Sequence, residues 1–134
     1  MCIRDSAFPA VTLTSGGNLV ATAGGAISQT GTIVVPGTSS FTTGNFGIDL
    51  TTNGASNNFI GAVSLSNTGA NDVTITDVNA LTLGTSSIGR NLTVNNTGAL
   101  SFGSTTVGGA LSANSHGGAI SLSLIHISEP TRPY

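Results

Sequence analysis

The sequence has no lysine and no tryptophan. It carries one cysteine, one methionine and one tyrosine in 134 residues. Charge is nearly as scarce, with three basic and five acidic side chains and a net charge of −2. Each scarcity excludes something. A chain without a basic surface cannot neutralise a phosphate backbone, so a nucleic-acid partner is not expected. One cysteine cannot form an intrachain disulfide, so no disulfide framework holds the fold. With five phenylalanines as almost the only large rings, a wide globular core cannot be filled. Long, straight helix-forming side chains are rare, and no helix start is followed by a sustained helical stripe. No apolar run approaches the length of a membrane-spanning helix. What is present is Gly, Ser, Thr, Asn and Ala, with Val, Ile and Leu spread evenly among them. Frequent apolar residues and a small net charge are also unlike a disordered chain.

Both ends stand apart from this composition. Met1-Cys2-Ile3-Arg4-Asp5-Ser6 matches what the mosaic end of a tagmentation transposon encodes. The run Leu122-Ser123-Leu124-Ile125-His126-Ile127-Ser128-Glu129-Pro130-Thr131-Arg132 matches its reverse complement running into a library adapter. Residues 1–6 and 122–134 are therefore expected to be adapter-derived and non-native. Residues 7–121 are expected to be a repeat segment of a longer bacterial gene, truncated at both ends. On that reading the native charges are Asp49, Asp72, Asp77 and Arg90. The native part then has no cysteine, which suits an extracellular bacterial protein and a reduced cytosolic one equally. Residues 1–6 and 128–134 are expected to make few contacts. Leu122–Ile127 alternates, so it is able to add a strand to an exposed last coil.

Period-two alternation recurs along the chain. Residues 33–35, 48–50, 63–65, 73–75, 81–83, 92–94 and 100–102 each read as a short strand. Pro36 is expected to end the first of them. Turn-forming pieces lie between, at Asn67-Thr68-Gly69, Asn71-Asp72, Gly84-Thr85-Ser86-Ser87 and Asn95-Asn96-Thr97-Gly98. Val63, Leu81, Leu100 and Ile120 follow one another at a near-constant interval, and Val73, Leu92 and Leu111 repeat it. These are expected to be two interior rows. A longer echo relates Asn18-Leu19 and Gly25-Ala26-Ile27-Ser28 to Asn91-Leu92 and Gly98-Ala99-Leu100-Ser101. Self-similarity with strands and no helices predicts an all-β parallel β-helix, a β-solenoid of about 19–20 residues per coil. About six coils would make a rod about 30 Å long at the strand spacing of stacked coils. The N-terminal half, to Asn58, keeps the period less well.

Asn91-Leu92-Thr93-Val94, Asp72-Val73-Thr74-Ile75-Thr76-Asp77, Asn79-Ala80-Leu81-Thr82-Leu83-Gly84 and Gly24-Gly25-Ala26-Ile27-Ser28 resemble the repeat regions of filamentous-haemagglutinin-like proteins and autotransporter adhesins. The resemblance spans nearly all of residues 7–121. It implies a right-handed parallel β-helix, forming the shaft of a large exoprotein secreted by, or displayed on, a Gram-negative cell. It also implies flanking coils of the same chain as neighbours and an outer-membrane secretion pore as partner. The alternative is a fragment of a carbohydrate-active β-helical enzyme whose active coils lie elsewhere. A lipid-embedded β-barrel is disfavoured, because residues 7–121 have no Trp or Tyr for interfacial girdles.

No catalytic, cofactor-binding or metal-binding residue is expected. Glycosidic chemistry needs clustered acids. Asp72 and Asp77 bracket Val73–Thr76, so they are expected at opposite corners, capping backbone groups. Arg90 is expected at a solvent-facing corner. His116 is a lone histidine in a turn, and one histidine is not a metal site. Asn91-Leu92-Thr93 and Asn95-Asn96-Thr97 match the glycosylation sequon, but chance matches are expected in such a composition. Gly16-Gly17 lacks the strand–helix context of a phosphate loop. Thr12-Leu13-Thr14 and Thr74-Ile75-Thr76 look like rungs of an ice-binding ladder, which Ser, Asn and Ala interrupt elsewhere. Phe8, Phe41, Phe46, Phe59 and Phe102 are expected to fill coils.

Overall fold

A computed structural model describes residues 2–3, 7–8, 11–13, 16–51 and 57–127. Among them there is no helix, and the chain winds through short parallel strands. The first coil holds β1 (Cys2–Ile3), β2 (Ala7–Phe8) and β3 (Val11–Thr12). The next holds β4 (Leu19–Ala23), β5 (Ser28–Gln29) and β6 (Ile33–Val35), and β6 stops at Pro36. Then come β7 (Ser39–Thr43), β8 (Ile48–Leu50) and β9 (Asn58–Phe59). The later coils hold fewer faces: β10 (Val63–Ser66) and β11 (Val73–Asp77); β12 (Leu81–Leu83), β13 (Ser86–Ile88) and β14 (Leu92–Asn96); β15 (Leu100–Val107) and β16 (Leu111–Asn114); and finally β17 (Ile120–Ile127).

Each strand pairs with its counterpart one coil away, and the pairings among the described residues are parallel. The first face stacks β1, β4, β7, β10, β12 and β15, with β17 on the far side of β15. The second stacks β8, β11, β14 and β16. A third, formed by β3, β6 and β9, occurs in the N-terminal coils. Stepping from Leu19 to Ser39, Val63, Leu83, Phe102 and Leu122 follows one register position through five turns. The molecule is a parallel β-solenoid.

The alternation read from the sequence is what fills it. β11 and β14 run buried, half-buried, buried, half-buried, buried. Inward positions carry the apolar side chains, and parallel stacking joins them into continuous rows. On the second face Val73, Leu92 and Leu111 form the expected row, extended backwards by Ile48 and Ile27. Leu111 is only partly covered, at the end of the stack. Wider coils are filled by Phe41 and Phe59, whose rings meet edge to face with centroids 6.0 Å apart.

Several expectations need correction. Val63, Leu81 and Leu100 are all buried, but they are not one row. Leu81 aligns with Leu100 and Ile120, whereas Val63 aligns with Leu83. Leu81 falls two residues before the partner of Val63, and a bulge follows, since Val63 pairs with Leu83 but Ser66 pairs with Ser87, with Gly84 and Thr85 between. The Ser86 hydroxyl fills the gap in the ladder, accepting the Leu65 N–H at 3.1 Å. Ser86 and Ser87 are consequently strand rather than turn. The longer echo relates different faces, since Leu19 lies on the first and Leu92 on the second. The period also widens from Ile48 to Val73. Phe46 is 44% exposed rather than a coil filler. At the N-terminus, Cys2–Ile3 pairs with Val20 and Ala21, so the expectation of few contacts fails there. Residues 128–134, and the side chain of Phe8, lie outside the described residues. Leu122–Ile127 does continue the last strand, in register with β15.

Candidate functional site

The three-sided coils become two-sided after β9, and the change leaves a strand edge to satisfy. The chain turns from β11 through Val78, Asn79 and Ala80 directly into β12. Asp77 is the last inward position of β11 and is 2% exposed. Its Oδ1 accepts the Phe59 N–H at 2.7 Å, standing in for the missing next strand. Its Oδ2 accepts the Asn79 N–H at 3.0 Å, and the Val78 N–H donates to the Asn57 carbonyl at 2.7 Å. Burial pushes the Asp77 carboxyl up to about 6, against the pull of the Phe59, Asn79 and Val78 N–H donors.

One coil back, the same corner is built from amides. Gln29 and Asn57 exchange side-chain hydrogen bonds of 2.9 and 2.8 Å in the interior. Asn57 also accepts the Ile33 N–H and donates to the Leu50 carbonyl. One coil on, Asp77 aligns with Asn96. The Asn96 Nδ2 donates to the carbonyls of Asn79, Gly98 and Ala99 at 3.1, 3.1 and 3.0 Å. The Asn96 Oδ1 is buried without a partner among the described residues. The following coil places Ser115 there, its hydroxyl donating to the Gly118 carbonyl at 2.6 Å.

His116 follows, with φ of 49°, the only described residue other than glycine in the left-handed region. Its Nδ1 lies 2.9 Å from the Asn96 carbonyl, an acceptor, so this nitrogen carries the proton. Its N–H donates to Asn114 Oδ1 at 2.9 Å. Thr76, Asp77, Asn95, Asn96, Thr97 and His116 line a half-open depression of about 220 Å³. Spacing along the chain gives no reason for Asp77 and His116 to converge, and the coil period brings them together. The depression lies beside the outward side of the second face. There Asp49, Thr74, Thr93 and Ser112 form one polar column, and Thr76, Asn95 and Asn114 another. The ladder begun by Thr74 and Thr76 is thus continued by other small polar residues, while Thr14 lies outside the described residues.

The remaining candidates lie apart from the depression. Asp72 and Arg90 form a bidentate pair at 2.7 and 2.8 Å, with both side chains substantially exposed. The Arg90 guanidinium holds the Asp72 carboxyl below its usual range, opposed by desolvation and helped by the Asn91 N–H. Asp49 accepts the Thr51 N–H and the Thr74 hydroxyl, each at 3.1 Å. Asn91 accepts the Ala110 N–H at 2.9 Å, as a corner residue. Gly16, at φ of 76°, makes a turn and opens no helix. Among the described residues no cluster of three or more His, Cys, Asp or Glu could hold a metal ion.

The buried Gln29–Asn57 pair gives no signal in the sequence, because amides in an Asn-rich chain look like turns. The Asp72–Arg90 pair has one: the two are separated along the chain by about one coil.

A family model described as repeats of unknown function (DUF5649) matches the chain twice, over residues 3–66 and 70–124. Comparison with curated proteins and with solved structures returns no match.

Proposed function

Because the chain belongs to this family of repeats (DUF5649), we propose that it serves as a structural shaft segment. Its parent would be a large secreted or surface-displayed bacterial exoprotein of the filamentous-haemagglutinin or autotransporter type, an adhesin. The observation that supports this reading most is the continuity of the interior. One apolar row runs from Ile27 through Ile48, Val73 and Leu92 to Leu111, and each coil is held by the coils beside it. A stack of this kind transmits position along its axis without chemistry of its own. In this role its partners are flanking coils of the same protein, and the route to the surface is an outer-membrane secretion pore.

The alternative, a piece of a carbohydrate-active enzyme, places its active coils, with two acids facing one bond, outside this chain. Asp77 is the single acid at the depression, and both of its oxygens are engaged by backbone N–H groups. Surface labelling tests the proposal. An antibody raised against the chain should label intact Gram-negative cells that carry the gene, and external protease should remove the signal. Signal that appears only after lysis, in the soluble fraction, would refute it.

A further inference from the structure

We propose that the depression between Thr76, Asn95, Thr97 and His116 is a binding site for one ring of a neutral sugar. Three independent features coincide there. The surface is concave, with about 220 Å³ of space, below the roughly 300–1,000 Å³ of drug-sized pockets and suited to one small ring. The backbone of His116 is held at a φ of 49°, a conformation that costs energy and is kept by the turn around it. Asn96, which lines the same depression, keeps a buried Oδ1 with no partner among the described residues.

The chemistry of the lining selects the ligand class. The hydroxyls of Thr76 and Thr97 and the amide of Asn95 make no hydrogen bond to another described residue. The Nδ1–H of His116 is engaged by the Asn96 carbonyl, so Nε2 is the ring atom left to meet a ligand. The site therefore offers donors and acceptors in similar number. It has no Arg or Lys, so an anion finds no counter-charge. Its one carboxylate, Asp77, is committed to Phe59 and Asn79, so a cation finds no free ligand set. An apolar ligand would leave the free amide and hydroxyls unpaired. A sugar ring satisfies both halves of the lining, with its hydroxyls on the amide and hydroxyls of the protein and its C–H faces on the threonine methyls and the imidazole. The adjoining column of Asn95 and Asn114 would let a longer glycan continue across the second face. The site does not depend on the shaft reading.

The test uses the whole chain, isotopically labelled, titrated with the methyl glycosides of glucose, galactose, mannose and N-acetylglucosamine to about 50 mM, the range of weak single-ring binding. At least one should shift the amide signals of residues 76, 95, 97 and 116 with saturation. Asn95→Ala and Thr76→Val should each weaken that binding by about fivefold, the loss expected for one hydrogen bond. Thr93→Val, on the neighbouring column, should leave it unchanged and controls for general loss of fold. No saturable shift from any of the four sugars would overturn the proposal. So would shifts spread over all faces, or binding equally strong in Asn95→Ala and Thr76→Val.

Discussion

Replacing Asp77 with asparagine tests how the solenoid ends its third face. In the folded chain the Asp77 carboxyl titrates near 6, and in the unfolded chain near the ordinary 3.8. The folded state therefore binds more protons between those values. Stability from this group is complete below 3.8 and is lost as pH rises through about 6. The full shift corresponds to roughly 3 kcal/mol. Asp72 acts with the opposite sign, since its lowered carboxyl contributes stability that is lost only as pH falls below 3.8. Between pH 4.5 and 7.5 Asp72 therefore adds no slope of its own, and the comparison with Asp77→Asn reads the part that belongs to Asp77. Urea unfolding at pH 4.5, 5.5 and 7.5 should show the wild-type chain most stable at the acid end. Asp77→Asn should remove most of that slope. It also turns one amide N–H toward Phe59 or Asn79, leaving one backbone donor unpaired at a cost of about 1–3 kcal/mol at pH 7.5, where the wild-type carboxylate accepts from both. A wild-type chain more stable at pH 7.5 than at 4.5, or a variant with an undiminished slope, would refute the role given to Asp77.

Other consequences can be measured in the same assay. Leu92→Ala, between Val73 and Leu111 in the second-face row, should cost about 2–5 kcal/mol by urea melts. Thr105→Val replaces a buried hydroxyl that has no partner among the described residues by a methyl of similar size and should raise stability by about 1 kcal/mol. Arg90→Ala should lower stability only slightly, and the difference should shrink in concentrated salt, because the pair with Asp72 is exposed. Gly89→Ala should be among the most damaging surface changes, since its Cβ would lie 2.1 Å from the Gly69 carbonyl oxygen of the coil below. A calorimetric midpoint equal to that of the wild type would show that the coils are spaced more loosely there.

The architecture is legible in the sequence because the inward positions of β11 and β14 are apolar and recur at a fixed interval. Strands whose inward residues are small or polar are not legible in the same way. β7 turns Ser39 and Thr43 inward beside Phe41, and β4 turns in Ala21 and Ala23, so neither shows the contrast that marks β11. Register fails at Gly84 and Thr85, because a bulge changes the count without changing the pattern on either side. The third face escapes for a chemical reason. Its corner is held by Gln29, Asn57 and Asp77, and polar residues inside a narrow coil resemble turn residues outside it. The depression at His116 is within reach of the period alone: Asp77 and Asn96 are register partners on adjacent coils, and His116 follows one coil later. Along the chain these groups are distant, and only across the coils are they neighbours.

Parallel, in-register stacking is the central claim, and cysteine pairs report on it directly. In a background with Cys2→Ser, the pairs Thr74→Cys with Thr93→Cys, and Thr93→Cys with Ser112→Cys, each occupy register partners on adjacent coils. Stacked strands bring such positions to about 4.8 Å, within the Cα separation a disulfide tolerates. Thr74→Cys with Ser112→Cys lies two coils apart, twice that spacing and beyond the reach of a disulfide. Rapid oxidation to an intramolecular disulfide is expected in the first two pairs and none in the third. Equal rates in all three, or oxidation of the third alone, would contradict it.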